Sequence, residues 1–271
     1  MKNTPRNQLN IPSFLKTLGV LLLIVIVCTL ISRYIYGSGQ TLRQYADSHP
    51  QEDNTQPQED NTQSQNDNPL QTVHKDGFYY EPLGEEIKNY ITGVSYPAEG
   101  TVEISYEDLS HVHVLHYDFE GETVHGELIC NQAIAQDLVE IFYELYVAEY
   151  RIDKITLIEA YNGDNNASMA DNNTFCFNYQ AAAEQNDLSL HALGLAIDIN
   201  PFYNPYIRFP KEGGQIVLPE GSEAYTDRTA VFPYKIDTED FCYKLFTAHG
   251  FTWGGNWNSM KDYQHFQKAM E

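Results

Sequence analysis

The sequence predicts an α+β domain, an antiparallel sheet with flanking helices, preceded by an N-terminal transmembrane helix. Three observations support this prediction: a long apolar run near the N-terminus, a repetitive polar stretch after it, and strand and helix patterns that then mix without βαβ regularity. The chain therefore divides into a cytoplasmic tail (1–13), a membrane anchor (14–36), a disordered acidic linker (37–76) and a folded domain (77–271).

The membrane anchor is predicted from residues 14–31, which are apolar at all but four positions and just long enough to span a bilayer. The sequence YIY at 34–36 suits the membrane interface. Lys2 and Arg6 precede the run, which predicts a cytoplasmic N-terminus, a single pass through the cell membrane and an extracytoplasmic C-terminal domain. A cleaved signal peptide is the alternative, but no A-x-A cleavage site follows the run.

The linker carries the sequence PQEDNTQ twice in tandem, at Pro50–Gln63, and almost no apolar residue. Such a composition cannot bury enough apolar surface to fold, so it predicts a disordered tether. All 38 acidic residues follow residue 36, whereas four of the 16 basic residues precede it, so residues 37–271 carry a formal charge of −26. This charge argues against nucleic acid as a partner.

The domain shows helix and strand patterns in mixed order. In chain order they predict a helix at 83–93, strands within 102–119 and 126–131, a helix at 131–150, a strand at 154–161, a functional loop at 162–180, a strand in the second half of 189–200, a Pro/Gly/Tyr-rich excursion at 201–233, and a helix at 238–250 with Thr238 as its N-cap.

The stretch SLHALGLAIDIN, at 189–200, carries the first chemical signal. Leu195, Ile197 and Ile199 would form the buried face of a strand, with Asp198 on the opposite face. An unpaired charge in such a strand costs several kcal/mol, so Asp198 should face a cation or several donors. His191 lies close enough along the chain to reach the same point, and a metal ion would explain both residues.

A third nitrogen ligand is available in the C-terminal sequence DYQHF. Catalytic zinc uses three protein ligands and leaves one position open, and His191, Asp198 and His265 would supply these three. Asp262 precedes His265 by three residues, which can place a carboxylate beside a metal-activated water as general base. Each piece alone is weak, since a single histidine in a loop is more often a structural hydrogen-bond donor.

These motifs resemble those of the zinc D-alanyl-D-alanine carboxypeptidase and L-alanyl-D-glutamate peptidase family, whose fold the hedgehog signalling domain shares. The stretch 189–200 matches S-x-H-x-x-G-x-A-x-D, and Asp262 is separated by two residues from a His-Phe pair. A VanY-like subgroup is most similar, because NNT-x-x-FNY, NP-x-x-NPY and GF-x-WGG-x-W recur at 172–179, 200–206 and 250–257.

The resemblance implies that His191, Asp198 and His265 bind Zn²⁺ around a single site, that Asp262 is the catalytic base, and that the substrates are peptidoglycan stem peptides. Either the D-alanyl-D-alanine or the L-alanyl-D-glutamate bond would be hydrolysed. Family members usually carry an arginine where this chain has Gln180. That departure favours the alternative of a catalytically inactive, zinc-containing cell-wall binding module.

The remaining candidates each have a structural alternative. Gln180, Ser189, Trp253 and Trp257 are candidate substrate-binding residues, although core packing is the default for either tryptophan and Ser189 is expected to form a turn before His191. Arg208 or Arg228 could replace the missing arginine.

Histidines and cysteines elsewhere in the domain leave further alternatives open. The sequence HVHVLH contains His111, His113 and His116, which are either a metal-binding pair with a neighbour or exposed strand histidines. Three cysteines in the domain allow one disulfide and a free thiol, or three reduced thiols. They are Cys130, Cys176 and Cys242.

Overall fold

The computed structural model describes residues 70–100, 102–180 and 188–270. The predicted cytoplasmic tail, the membrane anchor and residues 37–69 of the predicted linker lie outside these residues. Within the described part of the chain, no helix combines the length and the apolar character needed to cross a membrane.

The first half of the domain is a four-stranded antiparallel sheet with the strand order β1-β2-β3-β4. Helix α1 lies between β2 and β3 in sequence, and helix α2 follows β4. The bounds are β1 (Thr72–Lys75), β2 (Phe78–Pro82), α1 (Glu85–Ile91), β3 (Leu109–Tyr117), β4 (Thr123–Asn131) and α2 (Gln132–Val147).

Strand β1 corrects the predicted domain boundary, because it lies within the range assigned to the linker. It pairs with β2 across a tight turn at Asp76 and Gly77, and Gly77 has a φ of +79°. An Asp-Gly pair between two strands is a strong hairpin signal, since only residues that tolerate positive φ fit the turn. The folded domain therefore begins before residue 77.

Helix α2 covers one face of this sheet. Its apolar stripe includes Ile134, Leu138 and Phe142, which are buried against strand residues such as Val112 and Leu128. The helix begins at Asn131, whose side chain accepts a hydrogen bond from the Ala133 N–H and so satisfies one of the free donors of the first turn. The helix predicted at 131–150 is thus confirmed.

The segment 154–180 differs from its prediction. It contains β5 (Lys154–Ile155), α3 (Asn165–Ala170) and β6 (Asn173–Thr174), with β5 and β6 parallel. The predicted strand at 154–161 ends at Ile155 because the side chain of Asn173 occupies both the N–H and the carbonyl of Thr156. The predicted loop forms a short helix because Asp164 caps it by accepting from two backbone N–H groups.

Two small antiparallel sheets, β10-β12-β7 and β11-β8-β9, form the C-terminal half. The bounds are β7 (Ala196–Asp198), β8 (Tyr206–Arg208), β9 (Ile216–Leu218), α4 (Phe241–Ala248), β10 (Thr252–Trp253), β11 (Met260–Asp262) and β12 (His265–Gln267). The 201–233 excursion thus supplies two strands. Helix α4 has Asp240, not Thr238, as its N-cap, because the Asp240 carboxylate accepts from the Cys242 N–H.

The architecture confirms the predicted α+β class. Helix α2 flanks the first sheet, and β7 and β12 lie in one of the small sheets, so the two sequence motifs meet as neighbouring strands. The three cysteines within the described residues are all buried and free, which favours the reduced alternative.

Candidate metal site

Strands β7 and β12 place two of the predicted ligands directly opposite each other. In the antiparallel register, His265 pairs with Asp198. Leu195, Ile197 and Ile199 are at most 2 % exposed and enter the core, which leaves Asp198 on the opposite face, as the alternating pattern predicts. The side chains of directly opposed residues lie on the same face, so the carboxylate and the imidazole meet.

The turn before β7 brings His191 to the same point. Gly194 ends this turn with a φ of +66°, and a Cβ there would lie 2.5 Å from the backbone nitrogen of Asn131. The glycine in the first motif is therefore required both by its conformation and by its close approach to the start of α2.

The ring of His191 has a fixed orientation. Its Nδ1 lies 2.6 Å from the carbonyl oxygen of Cys176, which can only accept, so Nδ1 carries the proton. The ring also stacks on Phe175, with centroids 5.0 Å apart. These contacts leave Nε2 as the nitrogen that faces Asp198 and His265 and that is available to a metal ion.

The three facing atoms form a nearly equilateral triangle. His191 Nε2 lies 3.2 Å from Asp198 Oδ1 and 3.1 Å from His265 Nδ1, and His265 Nδ1 lies 3.1 Å from Asp198 Oδ1. Ligands of a tetrahedral zinc ion at about 2.0–2.1 Å are about 3.3 Å apart. The spacing of these two nitrogens and one oxygen therefore fits one face of a zinc tetrahedron.

A second hydrogen bond also orients His265. Its Nε2 lies 3.0 Å from the amide oxygen Oε1 of Gln267. Donation of the Nε2 proton to Gln267 leaves Nδ1 unprotonated for a metal ion, as metal-binding histidines commonly require.

In the metal-free triangle, the carboxylate of Asp198 favours protonation of the neighbouring imidazole, and a bound cation would replace that proton. Burial alone would raise the pKa of Asp198, but the charge and hydrogen bonds of the two imidazoles outweigh it and lower that pKa. For His265, burial has the opposite effect and would lower the pKa, yet the hydrogen bond and the charge interaction with Asp198 raise this pKa to about 9. The donor set therefore already favours positive charge at its centre, and metal binding would release protons.

Asp262 lies at the end of β11, opposite Tyr206 of β8. Its Oδ1 is buried and has no hydrogen-bond partner among the described residues. Burial and the nearby charge of Asp198 raise the pKa of Asp262 to about 7. The structure thus places a carboxyl group beside the triangle that is not committed to a structural hydrogen bond through this oxygen.

Gly254 allows Asp262 and His265 to come close. A Cβ at Gly254 would lie 2.7 Å from the backbone oxygen of Asp262 and 3.3 Å from the Cβ of His265. The first glycine of the WGG sequence is therefore a packing requirement of the site itself.

The predicted substrate-binding residues have different environments. Trp257 is half-buried, with its ring 5.3 Å from that of His265, so it borders the site. Trp253 is 5 % exposed, and its indole N–H donates to the Tyr263 carbonyl, which favours the core-packing alternative. Ser189 Oγ accepts from the His191 N–H and so forms the expected turn.

Gln180 uses both ends of its amide within a neighbouring loop. Its Nε2 donates to the Gly163 carbonyl at 2.9 Å, and its Oε1 accepts from Asn165 Nδ2 at 3.2 Å. In this arrangement the Gln180 side chain holds the loop that contains Gly163 and Asn165, and its role toward a substrate stays a prediction.

Arg228 does not have an open guanidinium group. It donates to four oxygen acceptors, among them the carbonyls of Tyr203 and Ile236, and it stacks at 4.3 Å on the ring of Tyr263. These contacts indicate that Arg228 stabilises the 201–233 segment and does not replace the missing arginine. Arg208 lies on β8 at the position opposite Met260.

Several residues that shape the site were not predicted from the sequence. The Cys176 carbonyl and the Gln267 amide orient the two imidazoles. Gln267 could have been found from strand alternation, because positions 265 and 267 share a face of β12. No sequence signal identifies a backbone carbonyl such as that of Cys176.

The histidines of β3 are not the exposed strand histidines of the structural alternative. His111, His113 and His116 are buried, with exposures of 5 %, 7 % and 3 %. Only His116 is explained by a backbone contact, from its Nδ1 to the Ile152 carbonyl at 2.8 Å.

Comparison with known proteins supports the motif-based interpretation. Residues 182–268 match a family model described as D-alanyl-D-alanine carboxypeptidase. No curated protein and no solved structure gives a match to the chain. The matched range is under half of the 271 residues, but it contains the whole metal-site triangle and Asp262.

The match to this family confirms the resemblance predicted from the motifs, and it supports a peptidase of this type. Gln180 precedes the matched range by two residues. Residues 182–268, which contain every predicted metal ligand and the predicted base, are thus similar to the D-alanyl-D-alanine carboxypeptidase family.

Proposed function

We propose that the protein is a zinc peptidase that hydrolyses the stem peptides of peptidoglycan, with the D-alanyl-D-alanine bond as its first candidate. The observation that carries this proposal is the triangle of His191, Asp198 and His265, with 3.1–3.2 Å edges and Asp262 beside it. The match of residues 182–268 to the carboxypeptidase family supports the choice of reaction.

The roles of the residues follow from their contacts. His191 Nε2, Asp198 and His265 Nδ1 would hold the zinc ion, and their orientation by Cys176 and Gln267 reduces the cost of assembling the site. When bound, zinc supplies a Lewis acid that polarises the scissile carbonyl and acidifies water.

Asp262 would move the proton in this reaction. Its Oδ1 accepts the proton that the attacking water loses and returns it to the leaving amine. Burial and the charge of Asp198 raise the pKa of Asp262 in the metal-free protein, whereas a bound cation would favour the carboxylate, which is the form that accepts a proton.

The N-terminal region would place this activity at the cell surface. An anchor at 14–36 and an acidic tether at 37–76 would keep the domain outside the cytoplasm and within reach of the wall. The proposed partners are therefore stem peptides and, through the anchor, the membrane.

The experiment is mass spectrometry of a stem pentapeptide incubated with the purified, zinc-loaded full chain. Loss of one D-alanine establishes the carboxypeptidase, and cleavage after L-alanine establishes the endopeptidase. Asp262→Asn keeps the size of the side chain but cannot act as a base, so this variant should abolish either product.

A catalytically inactive, zinc-containing cell-wall binding module is the second candidate. The observation that favours it is Gln180, which stands at the usual arginine position and is held by Gly163 and Asn165. A zinc-loaded chain that cleaves neither bond but binds the pentapeptide would overturn the peptidase proposal in favour of this one.

A further inference from the structure

A second group of metal-binding side chains lies on one face of the first sheet. This histidine face consists of Glu81 on β2, His111 and His113 on β3, and His125 and Glu127 on β4. Glu81 is directly opposite His111, and Glu127 is directly opposite His113. Residues two apart on a strand share a face, so the register brings these groups together.

The two central histidines are buried without hydrogen-bond partners. His111 is 5 % exposed and His113 is 7 % exposed. Within the described residues, Nε2 of His111 and both ring nitrogens of His113 form no hydrogen bond. Leaving a buried polar group unsatisfied costs about 1–3 kcal/mol, so three such nitrogens in adjacent side chains require an explanation.

Protonation of the histidines does not provide that explanation. Burial, followed by the neighbouring His111 and His125, lowers the pKa of His113 to about 3. Burial also lowers the pKa of His111. Both rings are therefore neutral at neutral pH, which is the form in which imidazole binds a metal ion.

The distances are compatible with closure around an ion. Glu81 Oε1 lies 4.0 Å from His113 Nε2, and Glu127 Oε1 lies 3.7 Å from His113 Nδ1 and 3.8 Å from His111 Nε2. The atoms offered by Glu81, His111 and His113 lie within 4.8 Å of one another. The side chains of Glu81 and Glu127 are 24 % and 42 % exposed, so the carboxylates lie closer to the surface than the buried imidazoles.

We propose that Glu81, His111 and His113 form a second site, which binds a divalent transition-metal ion such as Zn²⁺. Two imidazoles and one carboxylate are a donor set that binds Zn²⁺ or Co²⁺ in preference to Mg²⁺ or Ca²⁺. His113 binds through Nε2, which faces Glu81, and its Nδ1–H is directed toward Glu127. A carboxylate behind a ligating imidazole is a common arrangement that fixes the ring.

The ring of His113 is also held from its face. Tyr79, directly opposite on β2, stacks on it with centroids 4.4 Å apart and an interplanar angle of 15°. This stacking keeps both ring nitrogens in the plane between Glu81 and Glu127. His125 is exposed, and its ring lies 5.3 Å from that of His113. Its ligand atom groups with those of His113 and Glu127 and not with those of Glu81 and His111, so it is not among the proposed ligands.

The first test measures zinc by mass spectrometry in the purified full chain, after exchange into buffer with a small excess of free Zn²⁺. The wild type should retain two zinc ions per chain, and the double variant His191→Ala/His265→Ala should retain one. His111→Ala and His113→Ala should each retain one, whereas His125→Ala should still retain two. The same zinc content in the wild type, His111→Ala and His113→Ala, or loss of an ion in His125→Ala, overturns the assignment.

The second test does not depend on whether the His113 variant folds. In His191→Ala/His265→Ala the histidine face is unaltered, so added Co²⁺ should give the visible absorption bands of a tetrahedral or five-coordinate nitrogen and oxygen site. A folded double variant, checked by circular dichroism, that shows only the spectrum of aqueous Co²⁺ overturns the proposal. This result would leave the proposed peptidase function untouched, because the first site is removed by design.

Discussion

At the scale of single residues, Gly254 shows how closely the candidate site is packed. A Cβ at this position would lie 2.7 Å from the Asp262 backbone oxygen and 2.8 Å from the Asp262 Cβ. Gly254→Ala should therefore displace the base and lower kcat/KM for the stem pentapeptide by about 100-fold, since catalytic groups misplaced by about 1 Å lose activity on that scale. Gly84→Ala is the matched control, because its Cβ would meet nothing within 4 Å.

The raised pKa of Asp262 predicts an effect on stability that can be measured without substrate. Its folded-state pKa of about 7 exceeds the ordinary aspartate value of 3.8, so between these values the folded state binds more protons than the unfolded state. The contribution of this group to stability is therefore present at low pH and is lost as the pH rises through 7.

Asp262→Asn should reveal this loss in the metal-free protein. Asparagine resembles the protonated carboxyl and cannot ionise, so in the presence of a chelator the variant should melt at a higher temperature than the wild type at pH 8. At pH 4 the two melting temperatures should approach each other. Equal differences at both pH values would contradict the raised pKa.

At the scale of elements, the junction between β7 and the start of α2 depends on Gly194. An alanine there would have a positive φ of 66° and a Cβ 2.5 Å from the Asn131 nitrogen. We expect Gly194→Ala to lower the free energy of unfolding by about 2–4 kcal/mol, from backbone strain and overpacking together. Urea denaturation measures this change.

Gly213 separates these two causes. Its φ is +89°, and a Cβ there would meet nothing within 4 Å. Gly213→Ala should therefore lower the free energy of unfolding by only about 1 kcal/mol, from strain alone. Similar losses in the two variants would show that the contact with Asn131 does not matter to β7.

At the scale of the whole molecule, the sequence predicts which side chains meet at β7 and β12 better than it predicts the surrounding fold. Asp198 and His265 were identifiable because each is a polar group among apolar residues of a short strand. His191 lies in the turn before β7 and was identified by its closeness in sequence to Asp198. The prediction of a strand at 154–161 was wrong beyond Ile155. The side chain of Asn173, distant in sequence, makes the hydrogen bonds to the Thr156 backbone that a neighbouring strand would otherwise make. Hydrogen bonds of this kind, from a side chain to a distant backbone, depend on tertiary contacts and leave no periodic pattern in the sequence.

The asparagines of the family motifs illustrate the same limit. Asn200 bonds the backbone of Asp153 and Arg151, and Asn204 bonds the backbone of Ile236 and the Arg228 side chain. The resemblance identified these positions, but nothing in the local sequence states that they hold distant loops. Their contacts suggest that the 200–206 motif is mainly a structural requirement of the segment that follows β7.

The proposed metal ligands also connect distant parts of the chain, so zinc should stabilise the whole domain. His191 and His265 are 74 positions apart, and Cys176, which orients His191, lies earlier still. At a free zinc concentration about 1,000-fold above Kd, binding to the native state alone adds about 4 kcal/mol, or roughly 10 °C in Tm for a domain of this size. Differential scanning calorimetry with and without chelator measures the shift.

His265→Ala isolates the contribution of this site from that of any other zinc bound by the chain. We expect the variant to lose the part of the zinc-dependent rise in Tm that the triangle supplies, because the remaining imidazole and carboxylate cannot complete the site; zinc bound by the histidine face would supply what remains. His249→Ala is a suitable control, since His249 ends α4 and its Nδ1 lies 3.1 Å from Asp137, apart from the triangle contacts. A zinc-dependent rise that is equal in His265→Ala and the wild type would mean that the triangle does not hold the ion.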